Sequence, residues 1–340
     1  METRIDFDEC KQQAEQGDSE AQYKLGVAYF LGEGVEQDDV ESIKWRTMAA
    51  KQGYVGAQYD LGAAYLLGEG VTQDPNESAR WYALAAEQGH TDAQYNLGVM
   101  YRDGLGVNRD YKEAIKWFKK SAEQGNANAQ YSLGLMYQNG EGVSQDYMES
   151  IKWYKKAVEQ GLELAEYNLG IMYRDGLGVN QDYKETVKWF KKSAVKGLIQ
   201  PQYNLGIIYA HELGVTQDYK ESVKWFKMAA EQGHSKSQYN LGVMYRDGLG
   251  IDQDYMESFM WLKKAADQGQ EDSQYSLGVM FYKGVGVPQD YVLAYMFFYI
   301  AADSGDKGSI KGRDVVEEMM TPLQLENAQD LVREWMRTHQ

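Results

Sequence analysis

The sequence has few of the residues that build disulfides, metal sites and membrane spans. Cys10 is the one cysteine in 340 residues, so no disulfide can form within the chain and a site made of several cysteines is excluded. No apolar run is long enough for a membrane span. Only 4 prolines stand against 35 glycines, which favours helices ended by glycine over a loop-rich fold.

Basic residues are also scarce, with 35 Lys and Arg against 51 Asp and Glu and a formal net charge of −16. Such a chain repels phosphate backbones, so we expect no nucleic-acid partner and favour a basic or polar protein surface. Residues 1–17 do not have the pattern of a secretory signal. We therefore expect a cytoplasmic monomer, or a periplasmic or secreted protein if a signal peptide has been removed.

A repeat runs through most of the chain and is marked by the glycine that ends each EQG-like triplet. That glycine recurs every 36 residues, at Gly17, Gly53, Gly89, Gly125, Gly161, Gly197, Gly233, Gly269 and Gly305. A Leu-Gly pair, beginning with Leu25 and Gly26, returns at the same step. We predict eight full repeats over 18–305.

The pattern within each repeat predicts two helices. In the third repeat, the first helix places Ala93, Leu97 and Tyr101 on one face and ends at Gly104. The second helix carries one large aromatic residue that we expect in the core. This column comprises Trp45, Trp81, Trp117, Trp153, Trp189, Trp225, Trp261 and Phe297.

An aspartate precedes every second helix and predicts its N-cap. The column comprises Asp38, Asp74, Asp110, Asp146, Asp182, Asp218, Asp254 and Asp290. A glutamate such as Glu41 follows three residues later in seven repeats, Leu293 being the exception, and predicts a capping box.

A glycine such as Gly98 lies in the middle of every first helix, where it costs about 1 kcal/mol relative to alanine. We expect close approach of the partner helix to offset this cost, because a missing side chain lets two helices touch.

The two ends depart from the repeat, as the ends of a repeat array should. Residues 1–17 predict an N-terminal capping helix. Residues 306–340 predict a C-terminal capping helical segment, in which TPLQ at 321–324 is a helix start and Trp335 covers the last repeat.

The stretches AQYNLGVMYRDGLGV (93–107) and DYKEAIKWFKKSAEQG (110–125) resemble the Sel1-like repeat (SLR), a helical-hairpin relative of the tetratricopeptide repeat. All eight repeats share the pattern. The resemblance implies an all-α fold: a right-handed α-solenoid, or superhelix, of eight 36-residue antiparallel helix-pair repeats with capping helices. It also implies a bacterial adaptor or scaffold that is not an enzyme and needs no cofactor.

The sixth repeat departs from this pattern. Pro201 stands where alanine is usual, and Glu212 replaces the glycine that ends the first helix. Both changes put the helix end and the turn in doubt, and a local kink or a surface altered for a partner would each explain them.

The outer side of the first helices is the predicted binding surface. On a helical wheel, Asn96 and Arg102 lie opposite the core positions, and in tetratricopeptide-like solenoids this side lines the concave groove. The candidate partner-binding residues on the concave face are Asn96, Val99, Arg102, Asp103, Asn168, Ile171, Arg174, Asp175, Asn204, Ile207, His211, Asn240, Val243, Arg246 and Asp247.

Two interpretations of these residues remain open. The asparagine column comprises the residue before Leu-Gly in each repeat: Lys24, Asp60, Asn96, Ser132, Asn168, Asn204, Asn240 and Ser276. An asparagine amide both donates and accepts, so this column could hold the backbone of an extended peptide, or it could be merely solvated. The Arg–Asp pairs, which recur in every second repeat, could bind a partner or form local salt bridges worth about 0–1 kcal/mol.

No catalytic or metal-binding constellation is apparent. His90 and His234 occupy the same column four repeats apart, too far to share a metal, and no serine or cysteine stands beside a histidine in a catalytic spacing. We therefore predict no catalytic residue, no metal and no cofactor.

The sequence predicts a protein–protein interaction scaffold or adaptor that binds a partner protein or an extended peptide along its groove. The alternative is an immunity or inhibitor protein that wraps and neutralises a toxic enzyme, and a third possibility is a structural spacer. Neighbouring repeats bury their large side chains against one another, so in every case recognition falls to the remaining inner wall.

Overall fold

The computed structural model describes residues 7–338, apart from the side chain of Ser304. Within that range it contains 19 α-helices, one short 3-10 helix (Ala302–Ser304) and no strand. The predicted all-α architecture of helix pairs is confirmed. Residues 1–6 of the predicted N-terminal capping helix and residues 339 and 340 of the predicted C-terminal segment lie outside the described range.

Each repeat contributes two helices of similar length. The first helices are α2 (Ser19–Leu31), α4 (Val55–Leu67), α6 (Thr91–Asp103), α8 (Ala127–Asn139), α10 (Glu163–Asp175), α12 (Ile199–Ala210), α14 (Ser235–Asp247) and α16 (Glu271–Lys283). The second helices are α3 (Asp39–Lys51), α5 (Pro75–Glu87), α7 (Tyr111–Glu123), α9 (Tyr147–Glu159), α11 (Tyr183–Val195), α13 (Tyr219–Glu231), α15 (Tyr255–Ala266) and α17 (Tyr291–Ala301). The terminal helices are α1 (Phe7–Glu15), α18 (Lys307–Glu317) and α19 (Pro322–Thr338).

The chain divides into two compact halves, each with its own apolar clusters. The N-terminal half runs to residue 169 and includes 177–179, and the C-terminal half comprises 170–176 and the chain from 180 onward. Helices that follow one another in sequence pack against one another from α1 to α9 and from α11 to α18, and α19 packs against α17. Each half is therefore a stack of helical hairpins.

The first helices end as the glycine pattern predicts. Gly104 has a φ of 74° and its amide donates to the carbonyl oxygen of Met100 at 2.8 Å. In the sixth repeat Glu212 takes the same left-handed conformation with a φ of 54°, the only such non-glycine residue within 7–338. A side chain in this region costs about 1–2 kcal/mol, which is why glycine fills the position elsewhere.

Pro201 does not kink the sixth repeat. It lies buried in the first turn of α12, where an amide has no partner within the helix. In the third repeat that amide belongs to Ala93 and donates to the side chain of His90, whereas the cap of α12 is Leu198, which cannot accept. Pro201 therefore lacks the amide donor at the position where Leu198 lacks the side-chain acceptor, so no hydrogen bond is lost.

The aspartate column is confirmed as the N-cap of every second helix, but the capping boxes are wrong. The backbone amide of Asp38, which a capping box would give to Glu41, donates to the carbonyl oxygen of Tyr29 at 2.9 Å. The Glu41 carboxylate instead accepts from Lys44 at 2.9 Å. The turn between the helices thus provides a backbone acceptor that the local motif does not show.

The mid-helix glycines permit close helix approach, as predicted. A Cβ atom built on Gly98 would lie 2.7 Å from Cδ1 of Phe118, and one on Gly134 would lie 2.4 Å from Cε1 of Tyr154. The Ser150 hydroxyl also donates to the Gly134 carbonyl oxygen at 2.7 Å. The aromatic ring of the second helix therefore rests directly on the backbone of the first.

The tryptophan column lies in the core with two exceptions. Trp117 is 7% exposed and packs among Ala93, Leu97 and Met100. The other buried members are Trp45, Trp153, Trp225, Trp261 and Phe297. The two exceptions, Trp81 and Trp189, are half-buried, and Trp81 still packs against the cluster that contains Leu61.

Candidate partner-binding surface

The first-helix face is the set of side chains that stand at the positions of Asn96, Val99, Arg102 and Asp103 in each first helix. Asp103 is exposed, whereas Asn96, Val99 and Arg102 are half-buried. Val99 packs against the cluster around Phe118, so part of this face also supports the core. Its members in the C-terminal half follow the same order of exposure: Ile171, Arg174, Asn204, Ile207, Asn240, Val243 and Arg246 are half-buried, and Asp175, His211 and Asp247 are exposed.

The Arg–Asp pairs are local salt bridges. The Arg102 guanidinium donates to both carboxylate oxygens of Asp103, from Nε at 2.7 Å and from Nη2 at 2.8 Å. These bonds hold the pKa of Asp103 below its usual value. Pairs of the same geometry join Arg174 to Asp175 and Arg246 to Asp247.

The asparagines of the N-terminal half bind tyrosines of the preceding repeat. Nδ2 of Asn168 lies 3.1 Å from the Tyr154 hydroxyl and 3.3 Å from the Tyr131 hydroxyl. Burial raises the pKa of Tyr82, and an interaction with Asn96 opposes that rise, so the same two columns interact there. Burial raises the pKa of Tyr154, so its hydroxyl stays protonated at neutral pH. These asparagines therefore link adjacent repeats.

The second repeat places a charged pair at the same point. Asp60 occupies the asparagine column, and its carboxylate lies 3.7 Å from Nε of Arg46, which is the counterpart of Tyr82. Burial, with a smaller contribution from the Asp60 carboxylate, raises the pKa of the Tyr23 hydroxyl to about 12. In these repeats, the residue in the asparagine column is chemically complementary to the residue fourteen positions earlier. An aspartate faces an arginine, and an asparagine faces a tyrosine.

The asparagines of the C-terminal half bond within their own helices. Nδ2 of Asn240 donates to the carbonyl oxygen of Lys236 at 2.9 Å, and Oδ1 of Asn204 accepts from Gln200 at 3.3 Å. The residue fourteen positions before Asn240 is Phe226, which has no hydroxyl. The asparagine column therefore has two structural roles rather than one.

Open clefts lie where the column carries a small residue. One, of about 400 Å³, is lined by Arg102, Tyr111, Ser132 and Met136. Apart from Arg102, these residues are absent from the predicted site. The prediction was based on the asparagines of the column and did not consider the small residues that replace them in other repeats. The signal was nevertheless present, since Ser132 stands in the asparagine column and Phe118 precedes it by fourteen residues.

Two histidines cap first helices. Nδ1 of His234 accepts from the backbone amide of Ser237 at 3.2 Å and lies 2.8 Å from the Ser237 hydroxyl oxygen. His90 caps α6 in the same way. Burial, with a smaller contribution from Lys236, lowers the pKa of His234. A neutral imidazole is required, because a protonated Nδ1 cannot accept.

We expect His234→Asn to remove a pH dependence of stability. The wild type has its cap above the unfolded pKa of about 6.5 and loses it as the pH falls toward the lower folded pKa, because the unfolded chain then binds more protons. An N-cap contributes about 1 kcal/mol. Urea midpoints at pH 7.5 and 5 should show a smaller loss in the variant, since asparagine caps at both pH values, as Asn126 does for α8. An equal loss in both proteins would contradict the assignment.

No three His, Cys, Asp or Glu side chains between residues 7 and 338 are grouped so that they could hold a metal ion. In the same range, no helix is both long and apolar enough to cross a membrane.

The model of the Sel1 repeat matches this chain eight times, at residues 19–54, 55–90, 91–126, 127–162, 164–198, 202–234, 235–270 and 271–306. These matches cover most of the sequence, so the chain belongs to the Sel1 repeat family. Proteins of this family are typically scaffolds that mediate protein–protein interactions and are generally not enzymes.

Two solved structures extend the comparison. A Sel1 repeat protein from Oxalobacter formigenes is 32% identical, with a TM-score of 0.73 over 89% of each chain. A protective antigen of uropathogenic Escherichia coli with an SLR fold is 30% identical, with a TM-score of 0.54 over 98% of this chain and 95% of its own. The comparison with curated proteins gave no match.

Proposed function

We propose that this chain is a non-enzymatic adaptor that holds a partner protein, or an extended segment of one, on its first-helix face. The observation that carries the proposal is the division of each first helix. In α6, Leu97, Gly98 and Met100 are buried in the core on one side of the helix, while the first-helix face on the other side remains accessible. The chemistry of that accessible side varies from repeat to repeat, as recognition of a particular partner requires.

Electrostatics support a partner with a basic or polar surface. The chain carries a net charge of −16, and the arginines of the first-helix face are already neutralised by their neighbouring aspartates. Long-range attraction therefore steers cationic partners, while selectivity falls to short-range contacts on the face.

The test compares two surfaces of the same protein. One variant carries Arg246→Ala, Asp247→Ala and Asn240→Ala on the first-helix face. The control carries Lys155→Ala and Lys227→Ala, two exposed lysines of second helices. Partners recovered by the wild type should be lost by the first variant and kept by the control, with the same helical content in all three proteins. Equal recovery by both variants would overturn the proposal.

The same experiment distinguishes the other functions. An immunity protein would recover one folded enzyme and abolish its activity, whereas an adaptor leaves its partner active. A spacer would lose nothing specific when the first-helix face changes. Isothermal titration with fragments of a recovered partner would then show whether an extended segment is enough for binding.

A further inference from the structure

Related clefts open at three places, two of them on the first-helix face and one beside the terminal helix α18. In the N-terminal half it lies beside Ser132 and measures about 400 Å³. In the C-terminal half one of about 400 Å³ lies beside Ser276, and one of about 360 Å³ lies beside Gly312. Ser132 and Ser276 stand in the asparagine column, and Gly312 follows Ser276 at the same 36-residue step, so the clefts are a property of the repeat rather than isolated surface irregularities.

At the clefts beside Ser132 and Ser276, the residue in the asparagine column is short and the residue fourteen positions earlier is apolar. Ser132 is preceded by Phe118 at fourteen residues, and Ser276 is preceded by Leu262 in the same relation. Neither pair can make the hydrogen bond that Asn168 makes with Tyr154. At both positions the column has a serine in place of an asparagine, so no side-chain amide extends toward the preceding repeat.

The next repeat shows what fits this space. The Tyr154 hydroxyl donates to Oε1 of Gln138 at 2.6 Å and accepts from Nδ2 of Asn168 at 3.1 Å. Gln138 and Asn168 stand 36 residues after Arg102 and Ser132, which line the open cleft. The Tyr154 hydroxyl therefore occupies, between Gln138 and Asn168, the position that is open between Arg102 and Ser132 in the preceding repeat.

We propose that the clefts at Ser132 and Ser276 each receive a tyrosine side chain of the partner; this deepens the proposed function and rests on it. Leu135 and Met136 give the ring an apolar wall, and a methionine sulfur makes favourable contacts with aromatic rings. The phenol hydroxyl then meets Arg102 and Ser132, as the Tyr154 hydroxyl meets Gln138 and Asn168. Tyrosine combines a large apolar surface with one polar tip, which matches this lining.

The charges of the clefts favour a neutral tip. Arg102 and Asp103 satisfy each other through two short bonds, and Arg109 and Glu141 add one charge of each sign. A charged side chain would have to break the Arg–Asp pair, whereas a phenol can accept from the guanidinium without breaking it. In the second cleft Lys283 offers a further donor to the phenol oxygen.

The test observes the clefts directly, through the methyl carbons of Met136 and Met280, which line them. Protein labelled with ¹³C at the methionine methyl groups is titrated with N-acetyl-L-tyrosinamide. We expect saturable shifts at Met136 and Met280 and none at Met100, whose repeat has Asn96 in the column. The amides of N-acetyl-leucine, N-acetyl-lysine and N-acetyl-glutamate should produce much smaller shifts. No shift, or an equal response to these amides, overturns the proposal.

Two double variants make the test reciprocal. Phe118→Tyr with Ser132→Asn reproduces the Tyr154–Asn168 pair and should abolish the Met136 shift while leaving that of Met280. Leu262→Tyr with Ser276→Asn makes the same change at the second cleft and should abolish the Met280 shift while leaving that of Met136. A Met136 shift that survives the first variant overturns the proposal, and so does a Met280 shift that survives the second variant in a well-folded protein.

The probe needs no identified partner, so the two hypotheses fail separately. If tyrosinamide binds but first-helix variants retain every recovered protein, the proposed function fails and the clefts stand. A different result would contradict the tyrosine pocket alone. The first-helix variants would lose the partner, but the Phe118→Tyr, Ser132→Asn protein would keep it and tyrosinamide would not bind.

Discussion

Gly134→Ala should destabilise the protein by about 1–3 kcal/mol, although alanine is the better helix former by about 1 kcal/mol. The new methyl carbon would lie 2.4 Å from Cε1 and 2.5 Å from Cδ1 of Tyr154. This ring cannot retreat, because it is fully buried and its hydroxyl is bound to Gln138. The overlap therefore outweighs the gain in helix propensity. Urea unfolding followed by circular dichroism would measure the loss.

A double-mutant cycle separates the overlap from any general effect of the substitution. In a Tyr154→Ala background the space above Gly134 is empty, so Gly134→Ala should be neutral or should stabilise by up to about 1 kcal/mol. A change of sign between the two backgrounds identifies the ring as the cause. If Gly134→Ala instead stabilises the wild type, the close helix approach does not explain the conserved period of these glycines along the chain.

Repetition explains why so much of this fold could be predicted. A column such as the one that begins at Leu25 is observed eight times in a single chain, and each copy tests the assignment of the others. Gly104 and Asp110 were assigned from local rules for helix ends, and those rules describe bonds within a few residues. Their structural roles are confirmed.

The errors have non-local causes. Glu41 was assigned to a capping box because the motif is local, but the amide of Asp38 bonds to Tyr29 across the turn. The tryptophan column repeats, yet Trp81 is less buried than Trp117 because its neighbours differ. A column defines a position, and the side chains around that position decide its burial.

The candidate site was only partly visible for the same reason. Asn168 was selected for the bonding capacity of its amide, but the sequence alone did not show that Tyr154 uses this capacity. The relation is a pairing of columns fourteen residues apart, Arg46 with Asp60 or Tyr154 with Asn168, which becomes evident only once two helices are placed side by side. Each cleft depends on residues from more than one helix, so no single residue in the sequence predicts it.

Trp225→Ala should cost about 3–5 kcal/mol, the range for deleting a buried large aromatic side chain. Trp225 is 2% exposed and its indole nitrogen donates to Oε1 of Glu221 at 3.0 Å, so the variant loses packing and leaves a cavity. Trp225→Phe should cost much less, since Phe297 fills the same column in the eighth repeat at 3% exposure. Trp81→Ala is the matched comparison, because that ring is half-buried.

Helical repeats unfold as coupled neighbours, so the site of the loss matters as well as its size. Trp225 packs within the C-terminal half, and hydrogen exchange should show the largest loss of protection in α12 and α13 and a smaller one in α3 and α5. Circular dichroism in urea would give the free energies for all three variants. Equal costs for Trp225→Ala and Trp81→Ala would mean that burial within the column does not set its contribution, and the division of each repeat into a core side and a recognition side would lose its energetic basis.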